Sequence, residues 1–180
     1  RQIWELYQRI TGPAPIILYY GKSGAGKSSL LDAGLLPRIE AEYTVEYMRR
    51  IQAIGLEASL FQALVQQAKT HGLDVSSEVA WFQERKRLGD LNRAVHNSDV
   101  RVKLTLKEEV RRWKADSSSH QQLAAIWRNI EQKAGKPLLL ILDQVEEAYT
   151  RPAPPEAGVQ DELQELLAAI QPLFGRADQR

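Results

Sequence analysis

The chain has 180 residues, 43% of them hydrophobic, which is the size of one domain with enough apolar side chains for a core. Twenty-four basic residues against 23 acidic ones leave a formal charge of +1, so nothing in the overall balance favours nucleic acid or anionic lipid as a partner. The absence of cysteine excludes a disulfide framework, a thiolate metal site and a cysteine nucleophile, and no apolar run is long enough to span a membrane, all of which suits a cytoplasmic protein.

In chain order, Ile3, Leu6, Tyr7 and Ile10 fall at helical spacing, and Thr11, Gly12, Pro13 and Pro15 break that pattern. Residues 16–20 form an apolar run rich in β-favouring side chains, as expected of a strand buried on both faces of a parallel sheet. A helix is predicted from Ser28 to Leu36, with Pro37 ending it. Residues 43–48 alternate as a second strand, and 56–69 place Leu60, Phe61, Leu64, Val65 and Ala68 on one helical face.

Residues 71–119 are polar and weakly periodic, and are expected to form a helical insertion of two or three short helices. Within that stretch, 85–114 hold ten basic and four acidic residues, so a local positive surface is expected there. Residues 122–133 read as a helix with Leu123, Ile126, Trp127 and Ile130 on one face. A further buried strand follows at 138–142, then a Pro-rich loop at 151–158. Val159, Leu163, Leu166, Leu167, Ile170 and Phe174 form the apolar stripe of a last helix. Strands alternating with helices predict an α/β fold with a mainly parallel sheet, built as a single domain over 1–180.

The chemistry concentrates at two places. Gly21, Gly26, Lys27 and Ser28, with Lys22, Ser23, Gly24 and Ala25 between them, satisfy G-x-x-x-x-G-K-[ST], the phosphate-binding P-loop. From average residue usage a chance match in a chain of this length is expected roughly once in a hundred sequences. The position of the loop, after a predicted strand and at the start of a predicted helix, adds to its specificity. Glycines let backbone N–H groups turn inward around phosphates, and the helix adds its positive dipole end. Lys27 is expected to place a charge at the β and γ phosphates, and the Ser28 hydroxyl to take a position on Mg²⁺. The loop from Gly21 to Ser28, together with Ser29, is the candidate nucleotide-binding set.

Asp143 follows the run Leu138, Leu139, Leu140, Ile141, Leu142, where a strand end would bring its carboxylate beside Ser28 as the second metal-holding oxygen. Glu146 and Glu147 come three and four residues later, and either could act as a base or orient the attacking water. The alternative for these acids is that they favour the N-terminus of the next helix.

Residues 20–38, YGKSGAGKSSLLDAGLLPR, and 138–152, LLLILDQVEEAYTRP, resemble the STAND class of signalling P-loop NTPases, in particular the bacterial novel STAND group. The likeness includes the Ala-Gly-Leu-Leu-Pro continuation after the loop and the aspartate, spacer and paired acids of the second stretch. It implies a STAND/AAA-like P-loop core that binds ATP with Mg²⁺ and works as a switch. Nucleotide exchange or hydrolysis would control self-association, a C-terminal repeat region would sense an unknown signal ligand or protein, and a fused domain would act as effector, in signalling or anti-phage defence. The chain starts at Arg1, has Met48 as its only methionine, and stops before the next strand, sensor arginine and winged-helix region of such a module; it is expected to be a piece of a longer protein.

Two other functions stay open. One is a nucleotide-stabilised interaction scaffold without significant turnover. The other is a nucleic-acid-dependent ATPase using residues 85–114. Arg49 and Arg50, after the second strand, lie where domains of the class the chain resembles often carry polar residues near the nucleotide, but a structural surface role is expected for them. His71, His96 and His120 have no ligand spacing, and Trp4, Trp81, Trp113 and Trp127 are expected as core or interface anchors.

Overall fold

The computed structural model describes residues 2–14, 16, 17, 19, 26–84, 118–143, 145–154 and 161–174, with side chains described at all of these except 118–120. Gly21, Lys22, Ser23, Gly24 and Ala25 of the expected loop lie outside the described residues, as do the basic stretch 85–114 and Val159.

Helix α1 is Gln2–Ile10 and buries Leu6. Helix α2 runs as Lys27–Ser29, a π-helical segment Leu30–Leu35, and Leu36–Ile39. The expected stop at Pro37 is therefore corrected: the helical run continues to Ile39. Proline has no N–H to give, and here it sits in the first turn of the last α segment, directly after the π-helical stretch, where no intrahelical donor is needed. Strand β1 is Thr44–Arg49, and α3 is Gly55–Thr70. Residues 76–84 form helix α4. Helix α5 is Ser118–Ala134, strand β2 is Leu138–Asp143, α6 is Glu147–Thr150 and α7 is Glu162–Phe174.

Strands β1 and β2 pair in parallel, with Thr44 opposite Leu138 and Arg49 opposite Asp143. The sheet among the described residues has these two strands. Residues 16–20 were expected to form another. At their described positions Ile16, Ile17 and Tyr19 lie outside any strand, since a strand needs a ladder and no described segment pairs with them.

Alternation along the strands divides the core in two. Met48, Leu138, Leu140 and Leu142 face a cluster made with Leu56, Leu60 and Leu64 of α3, Ile126 and Ile130 of α5, and Leu166 and Ile170 of α7. Val45 and Leu139 face the other way, toward Leu6 of α1 and Leu35 and Ile39 of α2. Helices thus cover both faces of a parallel pair, which is an α/β arrangement and explains why β2 is apolar at every position before Asp143. Phe61 and Phe82 stack with centroids 3.9 Å apart and hold α4 against α3.

Two close approaches fix the helices around the sheet. Gly34 is buried, and a Cβ there would stand 2.6 Å from Ile3 Cδ1, so the absent side chain lets α1 and α2 touch. Arg50 is the second, and it corrects the expectation of a surface role. Its side chain is 1% exposed and paired with Glu162, whose side chain is 5% exposed. Arg50 Nε donates to Glu162 at 2.6 Å, Nη2 donates to its other oxygen, and the N–H groups of Leu56 and Ala153 donate at 3.0 and 2.8 Å. One carboxylate therefore ties the end of β1, the start of α3, the Pro-rich loop and α7 together.

Candidate functional site

Gly26 adopts φ 74°, ψ 17°, a left-handed conformation that glycine reaches without the Cβ penalty, and its carbonyl accepts from Leu30 N at 2.9 Å to start α2. Lys27, Ser28 and Ser29 form the first turn, with Lys27 and Ser28 half-buried and Ser29 exposed. The loop ahead of them is outside the described residues, so the described part of the set is Gly26 to Ser29.

The sheet brings Asp143 to this turn. Asp143 closes β2, on the same face as Leu139, which is the face covered by α2. Ser28 Oγ donates to Asp143 Oδ2 at 3.3 Å, a contact between residues 115 positions apart. Tyr47 and Arg49 lie on the same face of β1, two positions apart. The Tyr47 hydroxyl donates to Asp143 Oδ2 at 2.8 Å, and Arg49 Nε stands 3.5 Å from the same oxygen. The Asp143 side chain is 12% exposed and that of Arg49 is 63% exposed, so the carboxylate is enclosed while the guanidinium reaches it from water. Among the described residues every hydrogen bond and ion pair to Asp143 falls on Oδ2.

Burial pushes the Tyr47 phenol above its ordinary value of 10.0, and the bond to Asp143 and its charge push the same way; Ser28 opposes them with a bond that lowers it. The phenol is therefore a proton donor at neutral pH. Tyr47 was not singled out from the sequence, and the only signal for it is its place two residues before Arg49 on an alternating strand. Its relation to Asp143 depends on the parallel register, which no local pattern encodes.

Glu146 is exposed at the N-cap of α6, and Glu147 is half-buried at its first position. Among the described residues no hydrogen bond or ion pair joins either to Ser28 or Asp143. The bond to Glu162 raises the Arg50 pKa most, burial lowers it, and the charges of Glu162 and then of Glu147 raise it further.

The donor set suits a hard divalent cation. Magnesium takes oxygen ligands and is usually held by one or two carboxylates together with substrate phosphates, and here a hydroxyl and a carboxylate converge. Among the described residues no three or more acidic, histidine or cysteine side chains are placed so that they could hold a metal ion together, so an all-protein cage is not what these residues offer. His71 is half-buried and apart from the site. No helix among the described residues is long and apolar enough to cross a membrane.

A comparison with protein families matches residues 1–178 to the family described as Novel STAND NTPase 1. No curated protein and no solved structure gives a match. The match spans nearly the whole chain, including both stretches that meet at Ser28 and Asp143, and the chain belongs to the Novel STAND NTPase 1 family.

Proposed function

We propose that this chain is the ATP-binding switch domain of a multidomain STAND-type signalling or defence protein, folded as a single P-loop domain with a helical insertion at 71–119. The observation that carries this reading is the 3.3 Å contact between Ser28 Oγ and Asp143 Oδ2, because it joins the two motifs that a magnesium-nucleotide site requires. The left-handed Gly26 at the start of α2 supports it further, as does a parallel strand ending at Asp143.

In this reading backbone N–H groups from Gly21 to Gly26 cradle the phosphates, Lys27 neutralises the β and γ groups, and Ser28 and Asp143 hold Mg²⁺. When bound, the metal would spread the charge that develops on the transferred phosphoryl group. Glu147 is preferred over Glu146 as the residue that orients water, since it is the half-buried one of the two. Self-association on ATP binding, and a signal received elsewhere in the longer protein, complete the switch.

Calorimetry with Mg²⁺ and ATP tests the proposal. The parent should bind, Lys27→Ala should lose at least tenfold in affinity, and Glu147→Gln should bind normally while turnover falls. No detectable ATP binding by the parent would remove the proposal. Normal binding with slow or absent turnover, unchanged by Glu147→Gln, would favour the scaffold instead.

A further inference from the structure

Asp143 carries three contacts on one oxygen, and they differ in kind. Ser28 belongs to the nucleotide side of the site. Arg49 is a cation at 3.5 Å on a side chain 63% exposed to water, so a divalent ion arriving at the same carboxylate meets a like charge that can swing away. Tyr47 is neutral, half-buried and held on a paired strand, and its 2.8 Å bond is the shortest of the three. A phenol uses one of the roughly four lone-pair positions of a carboxylate. It leaves the charge of the group in place and restricts its rotation.

We propose that Tyr47 is a positioning residue for metal uptake: its hydroxyl holds the Asp143 carboxylate in the orientation that receives a divalent cation carried on a nucleotide. The proposal rests on the reading of Ser28 and Asp143 as the metal-nucleotide site. Donors placed behind a metal-binding carboxylate fix its orientation, and their removal commonly costs about tenfold to a hundredfold in metal affinity. Tyr47→Phe removes the hydroxyl alone and keeps the ring.

The test measures Mn²⁺ binding by electron paramagnetic resonance in the presence of ATP, and metal-free ATP binding by calorimetry in chelator. Tyr47→Phe should lower Mn²⁺ affinity about tenfold, with metal-free ATP affinity within about twofold of the parent. In an Asp143→Asn background the same substitution should add less than about twofold, because the group it acts through is altered. Three results would overturn the proposal. They are an unchanged Mn²⁺ affinity in Tyr47→Phe, an equal loss of metal-free and metal-dependent binding, which marks a structural role, and full additivity with Asp143→Asn. A parent protein that binds neither ATP nor Mn²⁺ removes the site itself, and Tyr47 with it.

Discussion

The buried pair of Arg50 and Glu162 gives the most demanding prediction, because the two halves of the pair are unequally supported. Glu162 accepts from two nitrogens of Arg50 and from the backbone N–H groups of Leu56 and Ala153. Among the described residues Arg50 pairs with Glu162 alone, and its Nη1 is buried without a partner. Glu162→Ala therefore strands a guanidinium whose side chain is 1% exposed, and removing one member of a buried pair costs about 3–5 kcal/mol. Arg50→Met leaves the carboxylate two backbone donors, so its cost should be smaller, about 1–3 kcal/mol. The double variant Arg50→Met/Glu162→Leu removes both charges and should be more stable than Glu162→Ala alone. Urea unfolding followed by circular dichroism and tryptophan fluorescence measures all three. With a slope of about 2 kcal/mol/M, Glu162→Ala should shift the midpoint by roughly 1.5–2.5 M. A loss below about 1 kcal/mol in Glu162→Ala, or equal losses in the two single variants, would refute the asymmetry.

The same carboxyl sets an acid limb. Burial is the largest influence on Glu162 and pushes it up, but the bonds from Arg50, Ala153 and Leu56, together with the charge of Arg50, outweigh burial and hold it below 4.5. A folded value below the unfolded one gives stability that is full above pH 4.5 and is lost as pH falls through the folded value, so urea midpoints of the parent should drop more steeply there than those of Arg50→Met/Glu162→Leu. Gly34→Ala would set a Cβ 2.6 and 2.9 Å from two atoms of Ile3, and the overpacking should cost about 1–3 kcal/mol; Ile3→Ala in the same chain should recover at least half, which unfolding of the double variant checks. Gly26→Ala meets no atom of the described residues within 4 Å, so its cost is backbone strain of about 1–2 kcal/mol, and Gly26→Asn should cost less in the same assay. Arg49→Gln removes a screened cation beside Asp143 and should raise Mn²⁺ affinity in the presence of ATP a few-fold, an effect that disappears in high salt.

What could be read beforehand is what local chemistry encodes. The apolar run ending in Asp143 marks β2, and the stripe through Leu60, Leu64 and Ala68 marks α3, because burial on two faces or on one leaves a pattern within a few residues. The pairing of Ser28 with Asp143 was legible too, from the chemistry that a phosphate loop requires. The rest depends on partners far away in the chain. Nothing near Arg50 announces burial, since a lone arginine is ordinarily exposed and its partner lies 112 positions on. Gly34 looks like a weak helix position until Ile3 is packed against it. Pro37 reads as a stop, and the π-helical stretch that accommodates it has no reliable local signature.

The end of β1 explains how such distant contacts support one site. Tyr47 and Arg49 point to the face that α2 covers and meet Asp143, while Arg50, one step on, turns to the opposite side and is tied by Glu162 to α3, α7 and the Pro-rich loop. The strand end is thus held from both sides, by the helix that carries Ser28 and by the larger of the two cores. Groups that bind a charged ligand work best when rigid elements fix them before it arrives. Here the oxygen of Asp143 is fixed through a strand pair whose register, Arg49 opposite Asp143, is itself maintained by apolar residues on both faces. A one-residue slip of β1 would turn Tyr47 away from Asp143 and place Glu46, a half-buried carboxyl that burial already pushes up, toward it. Two like charges would then meet where the proposed function puts a cation, so in that reading the packing that forbids the slip protects the chemistry of the site as well as the stability of the fold.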